Sequence, residues 1–204
     1  MKTEIIMFDG IDGSGKDTVI RGVYNYLKSK NYDVLLTREP GGSEVAEEIR
    51  EIILDPSLES MEPETEAMLY AASRFEHVVK KILPAIGKYD FIIMSRYIAS
   101  SIAYQGYGRH LGSDYINTIN KRAKTLINPD IKIYLDLSYE ESKQRVDNRG
   151  EKDRLEQEKE LFFKNAIKGY KEQDDLIEID ASNSEEKVLI DTIDVILKES
   201  KVLI

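Results

Sequence analysis

Short apolar runs alternate with longer amphipathic stretches along the 204 residues of this chain. Five runs have the length and position of β-strands: Glu4–Asp9, Tyr32–Thr37, Phe91–Ser95, Ile131–Leu137 and Leu176–Asp180. The first and third runs are apolar almost throughout, which is typical of strands that are covered on both faces. Because helical stretches separate the runs, the pattern predicts a parallel sheet with right-handed crossovers.

Helical periodicity fills most of the chain between the predicted strands. Two candidate N-caps, Ser113 and Ser184, each precede a stretch in which apolar residues recur every three or four positions. Further helices are predicted over residues 43–54, 63–88, 139–149 and 156–173. The last two flank a short polar turn, RGEKDRLE, which contains Arg149 and Arg154. The length suits one domain, or one domain with an inserted lid.

The segment between the first strand and the next helix carries a phosphate-binding motif. Gly10-Ile11-Asp12-Gly13-Ser14-Gly15-Lys16 matches the pattern G-x-x-x-x-G-K. Glycines let backbone N–H groups turn towards phosphate, and the N-terminus of the helix adds positive potential. Lys16 would reach the β- and γ-phosphates of a bound nucleotide. The motif therefore predicts a nucleoside triphosphate site over residues 10–18.

The position after the lysine departs from the usual motif. A Ser or Thr hydroxyl normally follows the lysine and ligates Mg²⁺, whereas this chain has Asp17, with Thr18 beside it. One interpretation is that Asp17 ligates magnesium, directly or through water. The other is that Asp17 is a first-turn acid favoured by the helix dipole, with Thr18 or waters completing the site. Both interpretations remain open at this point.

Composition narrows the class of protein. A hydrophobic content of 41% with 33% charged residues indicates a globular chain, and no uncharged apolar run approaches the ~20 residues of a membrane span. The net charge of −9 argues against a duplex-DNA partner, since phosphate contacts need a basic face. The lack of cysteine excludes a Cys-zinc site, and two histidines argue against a multi-His metal site. We expect a cytoplasmic protein without membrane or nucleic-acid partners, whose N-terminal residues form a strand rather than a signal peptide.

Five motifs occur in order at plausible spacings: FDGIDGSGKDT, TREPGG, EAMLYAASRFEH, SRYIASSIAYQG and RGEKDRLEQE. Together they resemble the bacterial thymidylate kinases, P-loop nucleoside monophosphate kinases that phosphorylate dTMP to dTDP. The resemblance implies a single kinase domain over residues 1–204, built on a five-stranded parallel sheet flanked by helices, with a small helical lid at about 149–156. It also implies ATP as phosphoryl donor, Mg²⁺ as cofactor, dTMP as acceptor and a homodimer.

The resemblance assigns a role to each matching residue at the sugar and phosphate end of dTMP. Asp12 would contact the 3′-hydroxyl of the sugar. Arg38 and Arg96 would hold the acceptor phosphate. Tyr104 would crowd the C2′ atom of the sugar and so select deoxyribose.

Four further residues match positions that surround the thymine base. Tyr70 would stack on the base, and Arg74 would donate to a base carbonyl. Ser101 and Gln105 match polar residues near the base edge.

The resemblance also implies how the phosphoryl group is transferred. Lys16, Arg96 and the lid arginines Arg149 and Arg154 would neutralise charge on the transferring group. Some family members carry a catalytic arginine in the phosphate loop, where this chain has Gly13. A lid that supplies the arginines is therefore expected.

A second departure from the family pattern precedes Arg96. The family usually has Asp at that position, near the magnesium, whereas this chain has Ser95. Together, Asp17 and Ser95 keep one carboxylate and one hydroxyl in exchanged places. They either face each other across one metal ion or reflect independent drift with reduced activity.

The main expectation from the five motifs is a thymidylate kinase. The alternatives are a related kinase with another base preference and a catalytically weak nucleotide-binding paralogue.

Overall fold

Five parallel strands form one sheet in the computed structural model, which describes residues 3–148 and 153–203. The strands are β1 (Glu4–Asp9), β2 (Val34–Arg38), β3 (Phe91–Ser95), β4 (Ile131–Asp136) and β5 (Ile177–Asp180). Their order across the sheet is β2-β3-β1-β4-β5, and every neighbouring pair is parallel. The predicted sheet is therefore confirmed. The central strand β1 and its neighbour β3 are the two most apolar runs of the sequence.

Helices cover both faces of the sheet. They are α1 (Lys16–Ser29), α2 (Glu44–Leu54), α3 (Pro63–His77), α4 (Leu83–Ala85), α5 (Ile98–Ser101), α6 (Ser113–Leu126), α7 (Tyr139–Asp147), α8 (Glu160–Lys171) and α9 (Glu185–Glu199). Two π-helical segments, Val78–Ile82 and Ile102–Gly108, and a 3₁₀ turn, Pro56–Leu58, complete the elements. The first π-helical segment ends two residues before Pro84, whose backbone nitrogen carries no hydrogen to donate. Among the described residues, no helix is long and apolar enough to cross a membrane.

The side chains of the central strand β1 alternate between two layers of the core, one on each face of the sheet. In β1, Ile5 and Met7 join the cluster that includes residues of α3 and α8. Ile6 and Phe8 join the opposite cluster, which includes residues of α1 and α9. Helices cover both layers, so the site must lie at an end of the sheet rather than on one of its faces. In open α/β folds, that end is the carboxyl end of the strands.

Two local expectations differ from the structure. Helix α6 begins at Ser113 itself, and its N-cap is Gly112, so the candidate cap is wrong by one position. The described part of the predicted lid, residues 153–156, forms a turn rather than a helix. Its ends are closed by Glu156 N donating to Asp153 Oδ1 at 2.9 Å and Asp153 N donating to Glu156 Oε2 at 3.2 Å. By contrast, Ser184 caps α9 as predicted, with its Oγ accepting from Lys187 N.

The helical segment over residues 98–108 was not predicted from periodicity. Every residue of α5 is buried, and most of the following π-helical segment is buried as well. A helix that is apolar or enclosed on all sides shows no amphipathic stripe. Helix α8 packs closely on this segment, because Gly169 has no side chain. A Cβ atom there would lie 2.8 Å from the ring of Tyr107.

Candidate active site

The phosphate-binding motif forms a loop between the carboxyl end of β1 and the N-terminus of α1. Gly13 and Gly15 adopt φ angles of +78° and +83°, in the left-handed region that favours glycine. A Cβ atom on Gly13 would lie 2.9 Å from the carbonyl oxygen of Ser142 in α7. This position therefore has no room for an arginine side chain unless α7 shifts. A catalytic arginine, which the family resemblance implies, would therefore have to come from another segment.

Lys16 is almost fully buried under this loop. Its Nζ donates to the carbonyl oxygens of Gly10 and Ile11, both at 2.9 Å. Burial, and after it the charge of Arg96, lowers the pKa of Lys16 from 10.5 to about 8. The carboxylates of Asp12 and Asp9 act in the opposite direction. The ammonium group of Lys16 therefore lies inside the loop and loses its proton at a lower pH than an exposed lysine would.

Two cavities meet beside the loop. The inner cavity, of about 550 Å³, is lined by Asp12, Glu39, Pro40, Arg50, Leu54, Tyr70, Arg74, Arg96, Ser100, Ser101, Tyr104, Gln105, Asp153 and Leu155. The outer cavity, of about 1040 Å³, is lined by Asp12, Gly13, Gly15, Lys16, Asp17, Thr18, Arg38, Glu39, Arg50, Ser95, Arg96, Asp153 and Glu156. The inner cavity contains seven of the eight residues predicted to bind the acceptor nucleotide. The outer cavity contains the phosphate loop.

Arg96 lies where the two cavities join. Its Nη2 donates to Asp12 Oδ1 at 2.6 Å, and its Nη1 donates to Gly10 O at 3.1 Å and Ser100 Oγ at 3.0 Å. The hydroxyl of Tyr104 donates to the other oxygen of Asp12 at 3.1 Å. The backbone of Arg96 has a φ angle of +66°, a strained conformation for a non-glycine residue that is often found at functional sites. The strain places the guanidinium over the phosphate loop, directly after β3.

The far end of the inner cavity is polar and tightly hydrogen-bonded. Arg74 donates from Nε to Glu39 at 2.7 Å, from Nη1 to Asn120 at 2.6 Å, and from Nη2 to Tyr97 O and Ser101 Oγ. A guanidinium has five N–H donors. One Nη1 donor therefore has no partner among the described residues. Arg74 can bind one acceptor atom of a ligand without giving up an existing bond.

Two predicted arginines are placed differently from the expectation. Arg38 is exposed and pairs with Glu47 at 2.9 Å; it lines the outer cavity but not the inner one. Arg154 is buried away from the phosphate loop, with Nε donating to Ile53 O at 2.8 Å and Nη2 to Glu66 Oε2 at 2.7 Å. The buried carboxylate holds Arg154 there, because a desolvated guanidinium requires a counter-ion. Arg149 lies outside the described residues.

Several residues of the site were missed by sequence reasoning. Arg50 lines both cavities, whereas the predicted Arg38 lines only the outer one. Asp9 accepts from Ser100 Oγ at 2.5 Å and Tyr170 OH at 2.7 Å, in a buried cluster behind Arg96. The only available signal was the position of Asp9, an acid at the end of an apolar strand. Arg50 lies within an ordinary amphipathic helix and gave no signal.

The sequence model of one protein family, described as thymidylate kinase, matches residues 8–191. The chain belongs to the thymidylate kinase family. Relatives agree with this assignment. A thymidylate kinase of Finegoldia magna is 44% identical over 202 residues, covering 97% of this chain and 99% of the relative. One of Bacillus licheniformis is 42% identical over 191 residues, covering 90% of each.

A solved thymidylate kinase has the same fold. The crystal structure of thymidylate kinase from Ehrlichia chaffeensis aligns with a TM-score of 0.74 and 29% identity, covering 96% of this chain and 99% of that chain. The predicted family and fold class are therefore confirmed. The prediction that the chain is an enzyme, a nucleotide kinase, is confirmed with them.

In this thymidylate kinase family member, the donor atoms of the outer cavity fit a magnesium ion shared with a nucleotide. Mg²⁺ prefers oxygen ligands and is usually bound by one or two carboxylates together with substrate phosphates and water. Asp17 and Ser95 both line the outer cavity, beside Lys16. The residues that the structure describes include no group of three or more His, Cys, Asp or Glu able to hold a metal by itself.

The lowered pKa of Lys16 predicts a pH dependence of nucleotide binding. In the free protein, Lys16 loses its proton as the pH rises through about 8, and the uncharged amine no longer attracts phosphate. Since ATP binds the protonated form, its affinity should fall by up to about tenfold per pH unit above 8. Calorimetric titration of ATP between pH 7 and 9 measures this slope. The Lys16→Arg variant, whose guanidinium stays charged, should lack it; an equal slope in both proteins would assign the effect to another group.

Proposed function

We propose that this protein transfers the γ-phosphoryl group of ATP to dTMP, giving dTDP and ADP for the synthesis of dTTP. The observation that carries the proposal is the junction of the two cavities. An enclosed cavity lined by Tyr70, Arg74 and Gln105 opens onto the phosphate loop at Arg96. A nucleoside monophosphate in the inner cavity would direct its phosphate towards the γ-phosphate of ATP in the outer one. A cytoplasmic location is part of the proposal and rests on the sequence.

The proposed reaction needs no general base. The acceptor is a phosphate oxygen, which is already anionic at neutral pH, and it attacks the γ-phosphorus as the bond to the bridging oxygen of ADP breaks. The enzyme has to bring two polyanions together and stabilise the charge of the transferring group. Lys16 and Arg96 lie on the outer cavity and supply positive charge there. Mg²⁺ held by the oxygens of Asp17 and Ser95 would neutralise further charge on the phosphates of ATP.

Arg154 would have to leave Glu66 and Ile53 before it could contact a phosphate, since it is buried against both. Arg38 would likewise exchange Glu47 for the acceptor phosphate, for which Arg50, on both cavities, is the better-placed residue. We therefore assign the charge-stabilising role first to Lys16 and Arg96.

A substrate panel tests the proposed reaction. ADP release, measured in a coupled assay with dTMP, dUMP, dGMP and dCMP at fixed ATP and Mg²⁺, should be fastest with dTMP at limiting acceptor. Faster turnover of dCMP or dGMP would instead favour the related kinase with another base preference. Nucleotide binding without turnover of any acceptor would favour the weak paralogue.

Replacing Tyr104 should weaken the selection of deoxyribose. Its ring lies in the inner cavity and its hydroxyl donates to Asp12, the residue proposed to contact the sugar 3′-hydroxyl. Tyr104→Ala should narrow the kcat/KM ratio of dTMP over ribo-TMP by about tenfold or more, because the space beside C2′ opens. Tyr104→Phe keeps the ring and should retain most of the ratio. Equal use of both sugars by the wild-type enzyme would refute the role.

The proposal includes a homodimer formed through α2 and α3. These helices pack against each other and leave Val45, Ile52, Met68 and Phe75 exposed. Each pair is seven residues apart, so the side chains of a pair share one helix face. Phe75→Asp combined with Met68→Asp should convert a dimer to a monomer in sedimentation velocity, because charges would be buried at the contact. Leu161→Asp, at an exposed position of α8, is the control and should stay dimeric. A monomeric wild-type protein would exclude the dimer.

A further inference from the structure

Glu66, in the first turn of α3, is fully buried behind the inner cavity. Its Oε1 accepts from Gln105 Nε2 at 2.9 Å. Its Oε2 accepts from Arg109 Nη2 at 2.9 Å and from Arg154 Nη2 at 2.7 Å. A desolvated carboxylate requires such donors. Two of these donors are charged, and they would suffice to balance Glu66. The third contact, to Gln105, is therefore not needed to balance the charge of Glu66.

This contact determines which end of the Gln105 side chain faces the cavity. A glutamine amide has an NH₂ end that donates and a carbonyl end that accepts. A carboxylate held by two guanidinium groups can only accept, so the NH₂ end has to point at Glu66. The carbonyl oxygen Oε1 is left for the inner cavity, which Gln105 lines. No described residue donates to that oxygen.

The resulting wall of the cavity matches one pyrimidine and not the other. Thymine has a donor at N3–H and an acceptor at O4, whereas cytosine has an acceptor at N3 and a donor at N4. The Gln105 carbonyl would accept from the N3–H of thymine but would oppose the lone pair of cytosine N3. Arg74, which has one N–H without a partner among the described residues, would favour a base carbonyl over an amino group. An amide turned the other way would present a donor and would suit cytosine.

We propose that Glu66 is a positioning residue that selects thymine over cytosine by holding the amide of Gln105 with its carbonyl oxygen towards the base. The inference rests on the proposed function and extends it from the residues that touch the base to the one that orients them. Arg109 and Arg154 neutralise Glu66, which keeps the carboxylate in place without changing its role as an acceptor.

The test replaces the carboxylate by an isosteric group that can also donate. In Glu66→Gln, the new amide can donate to the carbonyl of Gln105, so Gln105 is free to turn its NH₂ end towards the base. The ratio of kcat/KM for dTMP over dCMP should fall by about tenfold or more, because polar sites reject mismatched partners strongly only while their own groups are fixed. The KM for ATP should change by less than about twofold, since the outer cavity is untouched.

A matched control makes the same substitution on the same network. Glu158 pairs with Arg109 Nη1 at 2.5 Å and has no bond to Gln105. Glu158→Gln therefore removes one charge from the neighbourhood of Arg109 without freeing the amide. Its ratio of dTMP over dCMP should stay within about twofold of the wild type. A fall in this ratio as large as that in Glu66→Gln would overturn the proposal, because the loss of selectivity would then result from a general loosening of the network around Arg109.

A variant that fails to fold leaves the test intact. If thermal denaturation shows that Glu66→Gln is unfolded, Glu66→Asp takes its place. It keeps the charge for both arginines but withdraws the carboxylate from Gln105 by one methylene, and the same loss of ratio is expected. A folded variant of either kind with the wild-type ratio overturns the proposal. An equal fall in kcat/KM for dTMP, dCMP and ATP overturns it as well. The wild-type preference for dTMP, measured first, tests the proposed function by itself.

Discussion

Lys16→Ala should lower kcat by about 10²- to 10³-fold or more at saturating ATP and dTMP, while the protein remains folded. The ammonium group lies under the phosphate loop, 2.9 Å from the carbonyl oxygens of Gly10 and Ile11, in a buried position. A charge that is fixed in place where negative charge develops stabilises the transition state strongly, because no reorganisation is needed at the moment of reaction. Removing it should therefore affect turnover more than the binding of dTMP, which we propose to occur in the inner cavity.

The control for this prediction is Lys28→Ala. Lys28 is on the same helix, α1, but is exposed and pairs only loosely with Asp33 at 3.4 Å. Its removal should leave kcat within about twofold of the wild type. Thermal denaturation should show that both variants fold, since burial already disfavours the charge of Lys16 and its loss relieves that penalty. A folded Lys16→Ala enzyme with wild-type turnover would exclude the role assigned to the loop.

The sequence was sufficient wherever a local pattern determined the outcome. The strands followed from apolar runs. The phosphate loop followed from glycine spacing, because the chain has to make a tight turn between β1 and α1 whatever the rest of the protein does. Seven of the eight predicted acceptor residues line one cavity. Their motifs lie in α3, in the phosphate loop and directly after β3, and the parallel sheet brings these segments to one end.

The sequence failed where the outcome depended on contacts between distant segments. The family resemblance implied that Arg154 acts at the phosphates, yet Arg154 is buried against Glu66, 88 residues away in the chain. No residue near Arg154 in the sequence indicates that Glu66 is its partner. The choice between Arg38 and Arg50 also depends on packing, because Arg38 ends strand β2 whereas Arg50 lies on α2, which packs against α3 beside the inner cavity.

The exchange of Asp17 and Ser95 predicts a coupled effect on magnesium dependence. Both residues line the outer cavity, one at the start of α1 and the other at the end of β3. Asp17→Thr should lower kcat severely, because neither position then carries a carboxylate. Ser95→Asp should place two carboxylates near one ion and shift the Mg²⁺ concentration at half-maximal rate. The double change restores the arrangement that is usual in the family and should recover much of the activity.

The decisive quantity is the departure of the double variant from additivity. Residues that share one ion and its waters belong to a single network, and their effects do not add. We therefore expect a coupling free energy above about 1 kcal/mol from kcat measured against Mg²⁺ concentration in all four proteins. A coupling below about 0.5 kcal/mol, the scatter of independent sites, would mean that the two departures are unrelated. Asp17 would then be better explained as a first-turn acid favoured by the dipole of α1, with Thr18 supplying the oxygen nearest the metal.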